Sequence, residues 1–350
     1  MTAAHPLTVA TPASPRITVL QSTGRPDDTT NPYLMQLFGA LPPAVELRYF
    51  SIRDALLSRY DVFHVHWPEY LLRHDTWLGT AAKQVCMFLV LLRLWAMRIP
   101  VVRTLHNLRP HEDGGRRERA LLAWLDRLTT RRIRIDAGAG NDDGAPAQAA
   151  ADTILHGHYC DWFATAEVPA SVLGRLLHFG LLRPYKGVEG LLASFHDIAD
   201  GDISLRIVGN PASATMREAV QAACSHDPRV GALLQYVDND VLAHEIGQAQ
   251  LVVLPYRQML NSGALLLALS LARPVLAPWS GANAAIAEEV GEGWLTLYRG
   301  ELDAATLAAA LRRQAGRDPR ARPDLSRRDW PTLGAQHYDS YLRALHDMRR

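Results

Sequence analysis

The chain has 350 residues, with 37 Lys and Arg against 36 Asp and Glu, and 48% of it is hydrophobic. That is a globular composition, long enough for two domains with their own cores. It excludes a disordered chain and a nucleic-acid binder that works through overall basicity. Cys86, Cys160 and Cys224 lie far apart, with no CxxC or HExxH spacing. They read as reduced thiols, against a disulfide framework or a zinc module.

Residues 1–15 are small, Pro-rich and uncharged, and lack the basic start and apolar core of a signal peptide. They predict a flexible arm. Arg16–Gln21 predicts a strand, Asn31–Leu41 a helix and Leu47–Phe50 a second strand. Asp61–Trp67 (DVFHVHW) predicts a buried strand ended by Pro68, and His64 and His66 within it read as packing or pairing residues. Residues 76–98 predict a long helix. Its most apolar run, Val85–Leu92, is too short and too close to charge to span a bilayer with ease. Pro100–Leu105 predicts a strand that opens into the loop HNLRPHE, and Arg117–Arg132 a helix with a basic outer face. Residues 137–150 are small and low in complexity.

The alternation then restarts. Strands are predicted at Arg175–Phe179, Ser204–Val208, Leu233–Val237, Leu251–Pro255 and Pro274–Ala277. Helices are predicted at Val188–Ile198, Ser213–Cys224, Asp240–Gln248, Ser262–Leu271 and Ala282–Val290, with a last one at Leu333–His346. Strands alternating with helices mean parallel sheets covered on both faces. The expected fold is therefore α/β, with two Rossmann-like doubly wound domains facing a central cleft and a boundary near 160–170. His156-Gly157-His158 reads as a hinge turn.

Ligands in such sheets bind at the carboxyl ends of strands. Three turns there suit an anion in the second half. FGLLRPYKG follows a strand and opens a helix, bringing Arg183 and Lys186 to a helix N-terminus. Lys186 is one of only two lysines in the chain. Asn210 lies in the turn after the next strand. Tyr256 leads to Asn261, Ser262 and Gly263, whose backbone N–H groups can form a nest for phosphate. Helix capping is the ordinary explanation of any one such turn; three on one sheet edge point to a diphosphate. In the first half, Glu69 and His106 follow strands and Glu112 lies on the loop beyond His106. Each could take a proton from a hydroxyl. Asp238-Asn239-Asp240 precedes a helix and reads as a cap.

Residues 76–134 carry twelve basic and four acidic side chains, so the rest of the chain is net acidic. Apolar residues with Lys83, Arg93 and Arg98 could lie at a bilayer interface, with the arginines of 116–134 drawn to anionic headgroups.

RYDVFHVHWPEYLLRH, PVVRTLHNLRPHED, LLHFGLLRPYKGVE, LRIVGNP and LVVLPYRQMLNSGALLLALSLARPVLAPW together resemble the GT-B glycosyltransferases, over about residues 16–345. Within that superfamily the chain is similar to the β-mannosyltransferases of xanthan-type exopolysaccharide assembly. The resemblance implies a first domain at 16–165 that binds acceptor and faces the membrane. It implies a second domain at 166–330 that binds the nucleotide sugar, and a helix at 331–350 crossing back to the first. It implies inverting, metal-independent transfer from GDP-mannose with no cofactor. The acceptor would be a polyprenyl-diphosphate oligosaccharide ending in glucuronic acid, at the anionic cytoplasmic face of the inner membrane, and no nucleic acid would be a partner. Lys186 would meet the diphosphate, with N–H groups from Ser262 and Gly263. Many relatives carry an arginine five residues before that lysine and a glutamate on the ribose; Leu181 and Leu267 stand there in this chain. In a related β-glucuronosyltransferase the base lies on the loop that His106 occupies. Retaining transfer from another nucleotide sugar, epimerisation of a sugar nucleotide and a non-catalytic nucleotide-sugar binding module remain open alternatives on the residues.

Overall fold

A computed structural model describes residues 15–106, 114–136, 150–257 and 263–349. In chain order the first half runs β1 (Ile17–Gln21), α1 (Pro32–Ala40), β2 (Val45–Tyr49), α2 (Ile52–Leu57), β3 (Val62–Val65), α3 (Trp77–Ala96), β4 (Val101–Leu105), α4 (Arg116–Leu128), β5 (Thr129–Arg134) and β6 (Ala150–Thr153). The second half runs β7 (Arg175–Phe179), α5 (Val188–His196), β8 (Ser204–Val208), α6 (Ala214–His226), β9 (Val230–Leu233), α7 (Asn239–Gln248), β10 (Leu251–Val253), α8 (Gly263–Ser270), β11 (Val275–Pro278), α9 (Gly281–Val290), β12 (Leu295–Tyr298), α10 (Ala304–Arg312) and α11 (Trp330–Arg349).

The strands form two six-stranded sheets, β2-β1-β3-β4-β5-β6 and β12-β11-β10-β7-β8-β9. Their pairings are parallel. Each order reverses once, between β1 and β3 in the first sheet and between β7 and β10 in the second. Loops leaving those neighbouring strands diverge to opposite faces and open a crevice at the carboxyl edge. Helix α11 packs on the first sheet. Trp330, Leu333, Tyr338 and Tyr341 join the core of β1, α1 and β4. At Gly334 a Cβ would collide with the Ala40 carbonyl of α1, so α11 lies against α1 with no room for a side chain.

Several elements differ from the predicted ones. The helix expected at Arg117–Arg132 stops at Leu128, and Thr129–Arg134 is strand β5. Its β-branched Thr129, Thr130 and Ile133 favour the pleat. Its arginines bond to carboxylates: Arg131 to Asp152 at 2.9 Å and to Asp347 at 2.5 Å. The strand expected at Leu233–Val237 lies earlier, at Val230–Leu233, and Asp238 begins the next helix. Strand β6 begins where the low-complexity stretch ends, and α2, β12 and α10 were not predicted. Helix α3 is 20 residues long, and by length and composition alone it could cross a membrane. Met87, Val90, Leu91 and Leu94 instead bury one face of it in the first domain's core. The opposite face leaves Trp77, Leu78, Val85, Leu89, Leu92 and Trp95 exposed.

Several side chains of the basic stretch are also held by ion pairs or backbone carbonyls of the first domain. Arg103 pairs with Asp126, Arg73 with Glu118, and Arg93 donates to the carbonyls of Ala55 and Ser58. Lys83 donates to the carbonyls of Tyr70 and Arg73. Exposed and without an ion-pair partner among the described residues are Arg116, Arg117, Arg119 and Arg127 of α4. Phe88 of α3 meets Trp124 of α4, ring centres 5.4 Å apart.

Candidate active site

In the second sheet the crevice is walled by the turns after β7, β8 and β10. Gly180 follows β7 with φ +99 and Gly209 follows β8 with φ +149. A Cβ on Gly209 would strike the Gly180 carbonyl oxygen, and one on Gly187 (φ +69) would strike that of Pro255. These approaches need glycine. Backbone bonds fasten the turns together: Gly180 N–H donates to Val208 O at 2.9 Å and Leu182 N–H to Asn210 O at 3.0 Å.

Pro184–Lys186 forms a single 3-10 turn that sends Lys186 back under these glycines. Its Nζ lies over the Tyr256 ring, 5.0 Å from the centre. Lys186 is only 9% exposed, yet no hydrogen bond or ion pair reaches its ammonium among the described residues. Burial, with the nearby Arg183 charge, lowers its pKa to about 8. Around it the Tyr256 hydroxyl and His178 Nε2 are buried without a partner. A buried cation with no counter-ion is costly, and an anion beside it would remove that cost.

In the first sheet the crevice holds imidazoles. Residues i and i+2 of a strand face the same way, so His64 and His66 meet, ring centres 4.1 Å apart. His64 uses both nitrogens, on Thr104 Oγ1 and Tyr341 Oη at 2.8 Å each. His66 Nδ1 bonds His106 Nε2 at 3.0 Å. Trp67 holds φ +41, a conformation rare for a non-glycine residue, and its ring stacks on His106 at 3.9 Å. Tyr33 touches His106 edge-on at 5.2 Å and His156 at 4.7 Å. His156 reaches the second domain, because a Cβ on Gly263 at the start of α8 would lie 3.8 Å from its Nε2. Burial, reinforced by the neighbouring imidazoles, holds His64 and His106 well below the usual histidine range and His66 at about 3. All three are neutral at pH 7.

Of the candidates from sequence, Lys186, Arg183, Tyr256 and Gly263 lie at the second crevice and His106 at the first. Asn210 contributes its backbone carbonyl, its residue being exposed. Glu69 is half-buried on the 3-10 turn Pro68–Leu71, with no partner for its carboxylate among the described residues. Glu112, Asn261 and Ser262 lie outside the described residues. Asp238 caps α7, accepting from Val241 N–H at 2.8 Å. Leu181 is exposed and Leu267 packs against the second domain's core. The expected hinge at His156–His158 is a tight crossing. Gly157 leaves room for Trp330, and His158 bonds Asp329 at 2.9 Å. The sequence reading gave His66 as a packing or pairing residue and His156 as part of a hinge turn, and did not single out Tyr33, His178 or His337. The alternation of His64 and His66 was the available signal for His66.

A family model described as glycosyl transferases group 1 matches residues 174–315. Two GDP-mannose:glycolipid 4-beta-D-mannosyltransferases of Xanthomonas campestris pv. campestris are 62% and 61% identical over 336 residues, covering 95% of this chain and 94% of theirs. Among solved structures, Anabaena HepE in complex with UDP matches with a TM-score of 0.63 at 15% identity, over 93% of this chain and 99% of that one. The catalytic domain of Arabidopsis thaliana starch synthase IV, bound to ADP and acarbose, matches with a TM-score of 0.65 at 10% identity, over 95% and 100%. At such identities these structures speak for the fold, which is GT-B. Relatives so similar over nearly the full length, together with the family-model match at 174–315, make the chain a glycosyltransferase of group 1, in the family of the GDP-mannose:glycolipid 4-beta-D-mannosyltransferases.

Proposed function

We propose that the chain transfers mannose from GDP-mannose to a lipid-diphosphate-linked oligosaccharide, onto a terminal glucuronic acid through a β-1,4 bond. The observation that carries this reading is Lys186, a buried residue set between Gly180 and the Tyr256 ring, whose ammonium has no counter-ion among the described residues. A diphosphate supplies the missing charge, with Arg183 and the start of α8 beside it. As the sugar–phosphate bond breaks, negative charge grows on the leaving GDP, and Lys186 stabilises that charge most when it is greatest. Metal-independent transfer fits this donor set.

A β-mannoside from an α-linked donor requires inversion, and therefore in-line attack aided by one base. His106 is our choice among Glu69, His106 and Glu112. Its ring is fixed by stacking on Trp67 and by the bond to His66, and burial keeps it neutral, with a lone pair to offer, though it also weakens it as a base. Product anomer decided by NMR, with GDP-mannose and UDP-glucose as competing donors, tests the reading. A β-mannoside from GDP-mannose is expected; an α product, or equal use of UDP-glucose, overturns it.

We further infer that the enzyme sits peripherally on the cytoplasmic face of the inner membrane. Its surface would be the exposed apolar face of α3 beside the four free arginines of α4. Basic groups near an anionic surface contribute about 1 kcal/mol each, so four can strengthen binding by roughly three orders of magnitude at low salt. Binding to phosphatidylglycerol vesicles in a flotation assay should fall steeply in high salt. Trp95→Glu should weaken what remains, and binding that ignores both changes refutes this surface.

A further inference from the structure

We propose that His66 is a second proton acceptor in the transfer: the proton taken from the acceptor hydroxyl by His106 is shared with His66 across the bond between the two rings. The proposal rests on His106 as base and goes beyond it, because an imidazole that only orients a base need not receive the proton.

Both rings are held. Ser22 clamps the backbone of His66 on both sides, accepting from its N–H at 2.8 Å and donating to its carbonyl at 3.0 Å. Trp67, fixed in its left-handed conformation, covers one face of His106. Among the neighbouring imidazoles, His66 is the one joined to His106. His64 has no free nitrogen, and His337 and His156 bond backbone carbonyls through Nδ1. The bond of 3.0 Å is short enough for transfer along it. His66 Nε2 has no hydrogen-bond partner among the described residues, so the bond to His106 is the one polar contact of its ring there. A carboxylate in the place of His66 would add fixed negative charge. An imidazole can pass from acceptor to donor and carry the charge itself. Burial makes one cation spread over two rings less costly than the same charge on one.

The step balances as follows. The acceptor O–H bond breaks as its oxygen bonds mannose C1, and the C1–oxygen bond to the diphosphate breaks with its electron pair leaving on GDP. The acceptor proton goes to His106 Nδ1 while the proton on His106 Nε2 passes to His66 Nδ1. After the product leaves, the pair returns one proton to solvent. Anionic diphosphate in the cleft favours the charged pair, so the imidazoles are most basic when donor is bound.

The test is a proton inventory in single turnovers with GDP-mannose, in mixtures of light and heavy water. Wild type should give a solvent isotope effect above one and a bowed plot, the mark of two protons in motion. His66→Asn keeps an acceptor oxygen near the position of Nδ1 but cannot be protonated. It should slow the turnover at least about tenfold and straighten the plot, with the melting shift induced by GDP-mannose unchanged. A linear plot or unit isotope effect in wild type overturns the proposal without any variant, as does His66→Asn at the wild-type rate. Failure of the underlying reading looks different: His106→Gln would then turn over normally.

Discussion

Lys186→Met is expected to lower kcat/KM for GDP-mannose by about 10²–10³, and to raise the melting temperature of the empty protein. Both follow from one ammonium, buried under Gly180 and Tyr256 with no anion beside it. With diphosphate present it makes charge-assisted bonds that strengthen as the leaving group departs. With the crevice empty it is a desolvated charge whose pKa falls from 10.5 to about 8. Between those values the unfolded chain binds more protons than the folded one, so stability rises as pH climbs through that window. Below about pH 8 the full cost remains, roughly 3 kcal/mol. Methionine fills most of the same space without the charge. At pH 7 the variant should melt above wild type, and the gap should close as wild type gains stability above pH 8. GDP should stabilise wild type and leave the variant almost unmoved. A variant that melts lower at pH 7, or that keeps the GDP shift, removes Lys186 from the donor site.

His106→Gln should lower kcat by about 10²–10⁴ while leaving the KM for GDP-mannose nearly constant. Glutamine places a polar atom near Nε2 and can keep the contact with His66, but it has no basic nitrogen. On the proposed reading the donor is held by the second domain, so donor affinity should survive. A fall in kcat alone marks an interaction made in the transition state. If kcat stays within about threefold of wild type, His106 is not the base. Glu69→Gln then becomes the decisive variant, because Glu69 carries a carboxylate with no partner among the described residues.

How far the sequence reaches is clear from particular elements. Both ends of β7 and β8 were legible, because a strand buried on two faces is a continuous apolar run bounded by Gly or polar residues. Strand β5 was not, because TTRRIR looks like a basic helix end until Asp152 and Asp347, distant in sequence, neutralise Arg131. The geometry around Lys186 was legible for a related reason. Gly180, Lys186, Gly187 and Gly209 sit in turns that directly follow strands, so their chemistry is written in local spacing. The imidazole cluster was not: His66 meets His106 forty residues on, and His64 meets Tyr341 at the far end of the chain.

The sequence by itself determined the alternation of strands and helices, two sheets, and a phosphate-suited lysine among glycines. Those features depend on neighbours a few residues apart, through hydrophobic period and backbone conformation. Only the tertiary structure decided that Lys186 has no counter-ion among the described residues, that several basic side chains of 76–134 are held by residues distant in sequence, and that His66 and His106 share a bond. Burial and pairing are properties of the space around a side chain, and that space is filled by residues far away in the chain.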